Sequence, residues 1–142
     1  MRLTLVTVYA VIFMALCACE RENTIAEMQR ETREKLMGYW QLEKKRVEIF
    51  DPYPTLQSET VYVGTTEDFL HFKANDSVIT GAAGRPVKEE KAYINVTSLI
   101  ISSTPHNWFI DSLKSHRLIL YCLVRNDDTT LRTRRETLYF KR

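Results

Sequence analysis

"LMGYWQLEKKRV", residues 36–47, holds the change of pattern on which the fold turns. Before it, "NTIAEMQRETREKLM" (23–37) carries Ile25, Met28, Thr32 and Leu36 at helical spacing, with charge on the opposite face. That spacing predicts an amphipathic helix, and Thr24 with Glu27 three residues on forms a capping box. After Gly38 the helical period never returns. Trp40 and Leu42 fall on one face of an alternating run, "YWQLEKKRVEIF", which reads as the first strand. The helix is expected to pack on the domain or plug one end of it; a solvated stalk is the alternative.

Working outward, Asp51-Pro52-Tyr53-Pro54 ends that strand, because proline cannot donate to a ladder. "TVYV", "DFLHFK", "VIT", "VKEEKAYINV", "SLIIS", "NWFID", "RLILYCLVR" and "RTRRETLYFKR" come after it. Turn residues separate them, among them "KANDS" and the segment from Gly81 to Gly84. Short strands broken about every ten residues predict an all-β sandwich or barrel. The length suits one domain with a modest core.

The first residues read as an address. Arg2 is the only charge before Glu20, and Leu3 to Ala18 is uncharged and mostly apolar. This is the layout of a secretory signal, and it falls short of the ~20 apolar residues that span a bilayer as a helix. Leu16-Cys17-Ala18-Cys19 resembles the bacterial lipobox. The resemblance implies cleavage before Cys19 and acylation of Cys19, so that 1–18 is signal and 19–37 is a lipid-anchored segment with the helix. The protein is then held in the cell envelope through Cys19. Glu20 is not the aspartate that retains such proteins in the inner membrane of enteric bacteria, so the outer membrane is expected, with the domain facing the periplasm or the surface. Several acyl chains, at ~0.8 kcal/mol per buried methylene, hold firmly where one does not.

Gly38-Tyr39-Trp40 resembles the Gly-x-Trp entry motif of lipocalins, and the order of the later elements resembles the lipocalin-like lipoproteins of Bacteroidetes-type bacteria. Those elements are Phe69-Leu70-His71-Phe72, Asn75-Asp76-Ser77, Tyr93, Leu99-Ile100-Ile101, Trp108-Phe109-Ile110 with Leu113, Leu118-Ile119-Leu120 and Tyr139-Phe140-Lys141-Arg142. The resemblance implies an antiparallel up-and-down β-barrel of about eight short strands over 38–142, preceded by one helix. Gly38 would turn the chain into the first strand and Trp40 would close the barrel. A barrel arginine stacks on that tryptophan in the family; Arg134, Arg135 and Arg142 are all candidates. The implied function is non-catalytic binding of a small apolar or amphipathic ligand. Phe72, Tyr93, Trp108 and Tyr121 are the candidate ligand contacts, since aromatics dominate small-molecule pockets. The alternative is a structural or protein-interaction lipoprotein of an envelope complex with a packed interior, since barrels of this size are often filled by side chains.

Other chemistry finds little support. A formal charge of +2, falling to about +1 once Arg2 leaves with the signal, is too balanced to argue for nucleic acid. Loss of Cys17 and acylation of Cys19 leave Cys122 as the lone thiol, in the apolar setting "LILYCLVRN", so a core role is expected. His71, His106 and His116 lack metal-ligand spacing, and no metal or cofactor is expected. Glu89-Glu90 and Asp127-Asp128 sit at turns and read as solvated charge. No nucleophile elbow or phosphate-binding glycine loop occurs, so an enzyme is not expected. Arg125, Arg132, Arg134 and Arg135 give the last two strands a basic streak, read as a solvated face or as a contact for anionic headgroups.

Overall fold

The structure, a computed structural model, describes residues 24–125 and 132–142. The signal segment 1–18, Cys19 and Asp127-Asp128 lie outside the described residues. Helix α1 covers 24–36. The strands are β1 (Gly38–Phe50), β2 (Leu56–Val63), β3 (Phe69–Phe72), β4 (Ser77–Gly81), β5 (Lys88–Ile94), β6 (Ser98–Ile101), β7 (Trp108–Lys114), β8 (Arg117–Arg125) and β9 (Thr133–Lys141).

From β3 onward each strand pairs antiparallel with the next, and β9 returns to β1, from Gln41 opposite Lys141 to Phe50 opposite Thr133. The sheet is thereby closed. β2 and β3 lie against the same edge of β1: Val63 opposes Lys44 and Phe69 opposes Gln41. They form one interrupted stave, so the barrel has eight staves, the lipocalin-like arrangement expected. At the interruption the Gly64 amide donates to the Glu43 carbonyl (2.8 Å) and the Leu42 amide to the Asp68 carbonyl (2.9 Å). A Cβ on Gly64 would collide with the Leu42 carbonyl, which requires glycine there. β4 pairs with β3 and not with β2, and every residue of β2 is exposed.

Alternation sends Trp40, Leu70, Phe72, Val78, Leu99, Leu118, Leu120 and Phe140 into one contiguous core, with Trp40, Val78, Leu99 and Leu118 fully buried. The register of β1 shifts against β9 between Leu42 and Lys44. This bulge leaves Glu43 as the extra residue and reverses the inward–outward phase of the rest of the strand. Trp40 and Leu42 face inward below it; Lys45 and Val47 share the inner face with Leu138, Glu136 and Cys122 above it.

Helix α1 plugs the end where β1 begins. Leu36 is fully buried in the core, and Arg33 pairs with Asp76 (3.2 Å) in the β3–β4 turn. Gln29 Nε2 donates to Asn95 Oδ1 (2.7 Å) and the Thr32 hydroxyl to the Val96 carbonyl (3.4 Å), both past the end of β5. Ile25 and Met28, on the outer turns, stay about half exposed, so the apolar stripe is used only toward its C-terminal end. Gly38 has φ of 105°, a left-handed value that lets the chain leave the helix and enter the wall.

Candidate binding site at the far rim of the barrel

At the plugged end Trp40 is fully buried and donates from Nε1 to the Leu36 carbonyl at 2.7 Å. Of the three arginines left open by the sequence, Arg142 is the one that stacks on it, 4.2 Å from the ring centroid. Its guanidinium also donates to the carbonyls of Ser115 (2.6 Å), Met37 (2.7 Å) and Lys35 (3.1 Å). One side chain thus ties the last strand to the helix end, the β7–β8 turn and the entry tryptophan. Gly38 and Trp40 stand where the barrel is closed.

The four candidate ligand contacts do not converge. Phe72 and Trp108 are buried within the core. Tyr93 points outward and is largely exposed. Tyr121 is on the outer face, stacked on Phe109 (ring centroids 5.3 Å apart) and under the Arg135 guanidinium (5.1 Å). The tyrosines occupy the strand positions that alternate with Cys122 and Ala92, which take the inner places.

Higher in the interior the wall turns polar. Glu136, 13 % exposed, accepts from Lys45 at 2.6 Å and from Arg134 at 2.5 Å. Val47 and the fully buried Cys122 lie beside this triad. Burial, and then the Glu136 charge, push the Cys122 thiol up from its ordinary value, so it remains a protonated core group at neutral pH. Among the described residues no cluster of three or more His, Cys, Asp or Glu side chains is placed to hold a metal ion, and no helix is long and apolar enough to cross a membrane.

A concavity of about 520 Å³ lies at the far rim, on the outer face. Leu123 and Arg125 of β8, Thr133 and Arg135 of β9, and Phe50 of β1 form its floor; they oppose one another in register and alternate with the inward Cys122 and Val124. Asp51, Pro52 and Pro54 of the β1–β2 turn form its side. The Asp51 carboxylate is engaged within the turn, accepting from the amides of Tyr53 and Thr55 (2.9 Å each) and from Gln57 Nε2 (3.1 Å). Neither Arg125 nor Arg135 has an ion-pair partner among the described residues. The Arg135 Nε is buried with no hydrogen-bond acceptor, and Glu48, opposite Arg135 on β1, makes no ion pair with it. The floor is therefore apolar, with two arginines that have no ion-pair partner among the described residues. The basic streak in the sequence was the signal for this place, but Arg134 and Arg135 divide between the two faces.

No protein-family profile and no curated protein sequence matches the chain. Among solved structures it is similar to lobster apocrustacyanin A1, at 13% identity over 84% of this chain and 67% of that one, with a TM-score of 0.42.

Proposed function

We propose that the chain is a non-catalytic binding module, anchored in a bacterial cell envelope through an acylated Cys19, that takes a small amphipathic ligand in the far-rim concavity. The observation that carries this reading is the concavity itself. It has the size of a small-molecule site and offers an apolar floor with a few polar groups. The barrel interior, the site expected from the aromatic residues, is occupied over its plugged half by Trp40, Phe72, Leu99 and Leu118. Residues 20–23 alone separate Cys19 from α1, so the plugged end would lie nearest the bilayer and the rim would face away from it. The resemblance of Leu16-Cys17-Ala18-Cys19 to the bacterial lipobox supports the anchor, and Glu20 favours the outer membrane.

A second reading rests on a separate observation. β2 has one edge without a strand partner among the described residues, and Val61 and Val63 are exposed on it. That edge suits a structural or protein-interaction lipoprotein of an envelope complex.

Native mass spectrometry of protein purified from its own host distinguishes the two. A bound small molecule released on activation supports the first reading. A ligand-free protein that also fails to take up amphiphiles in titration would defeat it. The anchor has its own test: Cys19→Ser should move the protein from the detergent phase to the aqueous phase on partition. Equal partition of wild type and variant would sink the lipobox reading.

A further inference from the structure

We infer that the far-rim concavity selects an anionic amphiphile, with Arg125 and Arg135 receiving an oxyanion head and Phe50, Leu123 and the rim prolines receiving the apolar part. The inference rests on the proposal that this concavity is the ligand site. Two guanidiniums line one small space, and the carboxylate among its lining residues, Asp51, is engaged by its own turn. Like charges lining one concavity repel, and an oxyanion received between them reverses that sign. A guanidinium presents paired N–H donors in a planar fork that fits a carboxylate or phosphate, so selection is by geometry as well as by charge. The Tyr121 ring lies under the Arg135 guanidinium, 5.1 Å from it, and this cation–π contact restrains the side chain. The floor is too apolar for a bare ion: Phe50, Leu123, Pro52 and Pro54 would remain wet, so the anion is expected to carry a chain or ring.

The test uses the full chain bearing Cys19→Ser, so that no acyl chain of the protein competes for the site. Calorimetric titration with octyl phosphate and octyl glucoside, each below its micelle concentration, compares a charged and a neutral head on one tail. Octyl phosphate should bind at least about tenfold more tightly, the difference expected from one charge-assisted contact. The gap should close in the Arg125→Gln/Arg135→Gln double variant, and Arg135→Lys should recover part of it. If Arg135→Gln perturbs folding, Arg125→Gln alone, on an exposed side chain, should still weaken octyl phosphate several-fold, about the loss of one such contact; no change would overturn the inference. Equal binding of both amphiphiles, indifferent to the arginines, would overturn the anion selection and leave amphiphile binding standing. Binding of neither would defeat both. Co-sedimentation with phosphatidylglycerol vesicles, without binding of monomeric octyl phosphate, would overturn the inference in favour of a bilayer surface.

Discussion

Replacing Arg142 by alanine should loosen the whole plugged end of the barrel. The side chain stacks on Trp40 and donates to three backbone carbonyls on two separate segments. A cation–π contact at an exposed site contributes about 0.5–1 kcal/mol. Each hydrogen bond, being solvent-accessible, belongs at the lower end of the usual range, about 0.5–1 kcal/mol. Ordering the long arginine side chain costs about 2 kcal/mol. The four contacts sum to about 2–4 kcal/mol before that cost and about 0–2 kcal/mol after it, so Arg142→Ala should lose about 1 kcal/mol, or roughly 4 °C in Tm for a domain of this size. Urea denaturation gives the global number, and hydrogen exchange gives its location. Amides of α1 from Leu36 back toward Gln29 should lose protection before those of β8. Arg142→Lys should fall between, keeping the charge over the ring but losing the fork. Unchanged urea midpoint and unchanged α1 protection in Arg142→Ala would refute the view that this residue fastens helix to barrel.

Three further outcomes are expected. Glu136→Gln leaves Lys45 and Arg134 facing one another inside the barrel and should cost about 2–3 kcal/mol, less than a fully dry pair because both cations reach solvent; equilibrium unfolding measures it, and a change below about 0.5 kcal/mol would show the triad to be idle. Gly64→Ala forces a methyl onto the Leu42 carbonyl and should destabilise by about 1–3 kcal/mol, visible as a lower urea midpoint. Asp68 is pushed up by burial, but bonds from the Ala83 amide and from the Thr65 amide and hydroxyl outweigh this and hold it below the usual aspartate range. It therefore adds stability above about pH 4 that is lost as pH falls through its lowered pKa. An Asp68→Asn variant should lose stability at neutral pH and show a shallower acid limb; an identical acid limb would remove the account.

The strand pattern was legible because each strand keeps one apolar face and ends at a turn residue. "RLILYCLVR" occupies β8 as Arg117–Arg125, and "SLIIS" surrounds β6. Two things were hidden. The bulge at Glu43 reverses the alternation within β1, so Lys45 turns inward although simple alternation from Trp40 would direct it out. Partner choice across the sheet was hidden as well. Glu136 binds both Lys45 and Arg134, cations from two different strands, and local sequence cannot show that these three share an interior. The same limit applied to the entry tryptophan: three arginines were chemically equivalent until β9 closed on β1 and brought Arg142 over Trp40. For the rim, composition marked the basic streak, but only the register of β8 with β9 sets Arg125 and Arg135 around one concavity with Phe50.

The β1–β9 seam also sets an order of events in folding. It joins Gln41 to Lys141, so the barrel cannot close until the hundred or so residues between them have been synthesised. Contacts of such long sequence separation form late and slowly. Until then β1 has one edge taken by β2 and β3 and the other bare, a template for pairing with another chain. The run Glu43-Lys44-Lys45-Arg46 lies along that waiting edge, and charge is a common guard against edge-to-edge aggregation. All four take an ionic or cation–π partner on β9 once it arrives, Glu43 with Lys141, Lys44 and Arg46 with Tyr139, and Lys45 with Glu136. The same side chains would thus keep the nascent strand solitary and later fasten it shut.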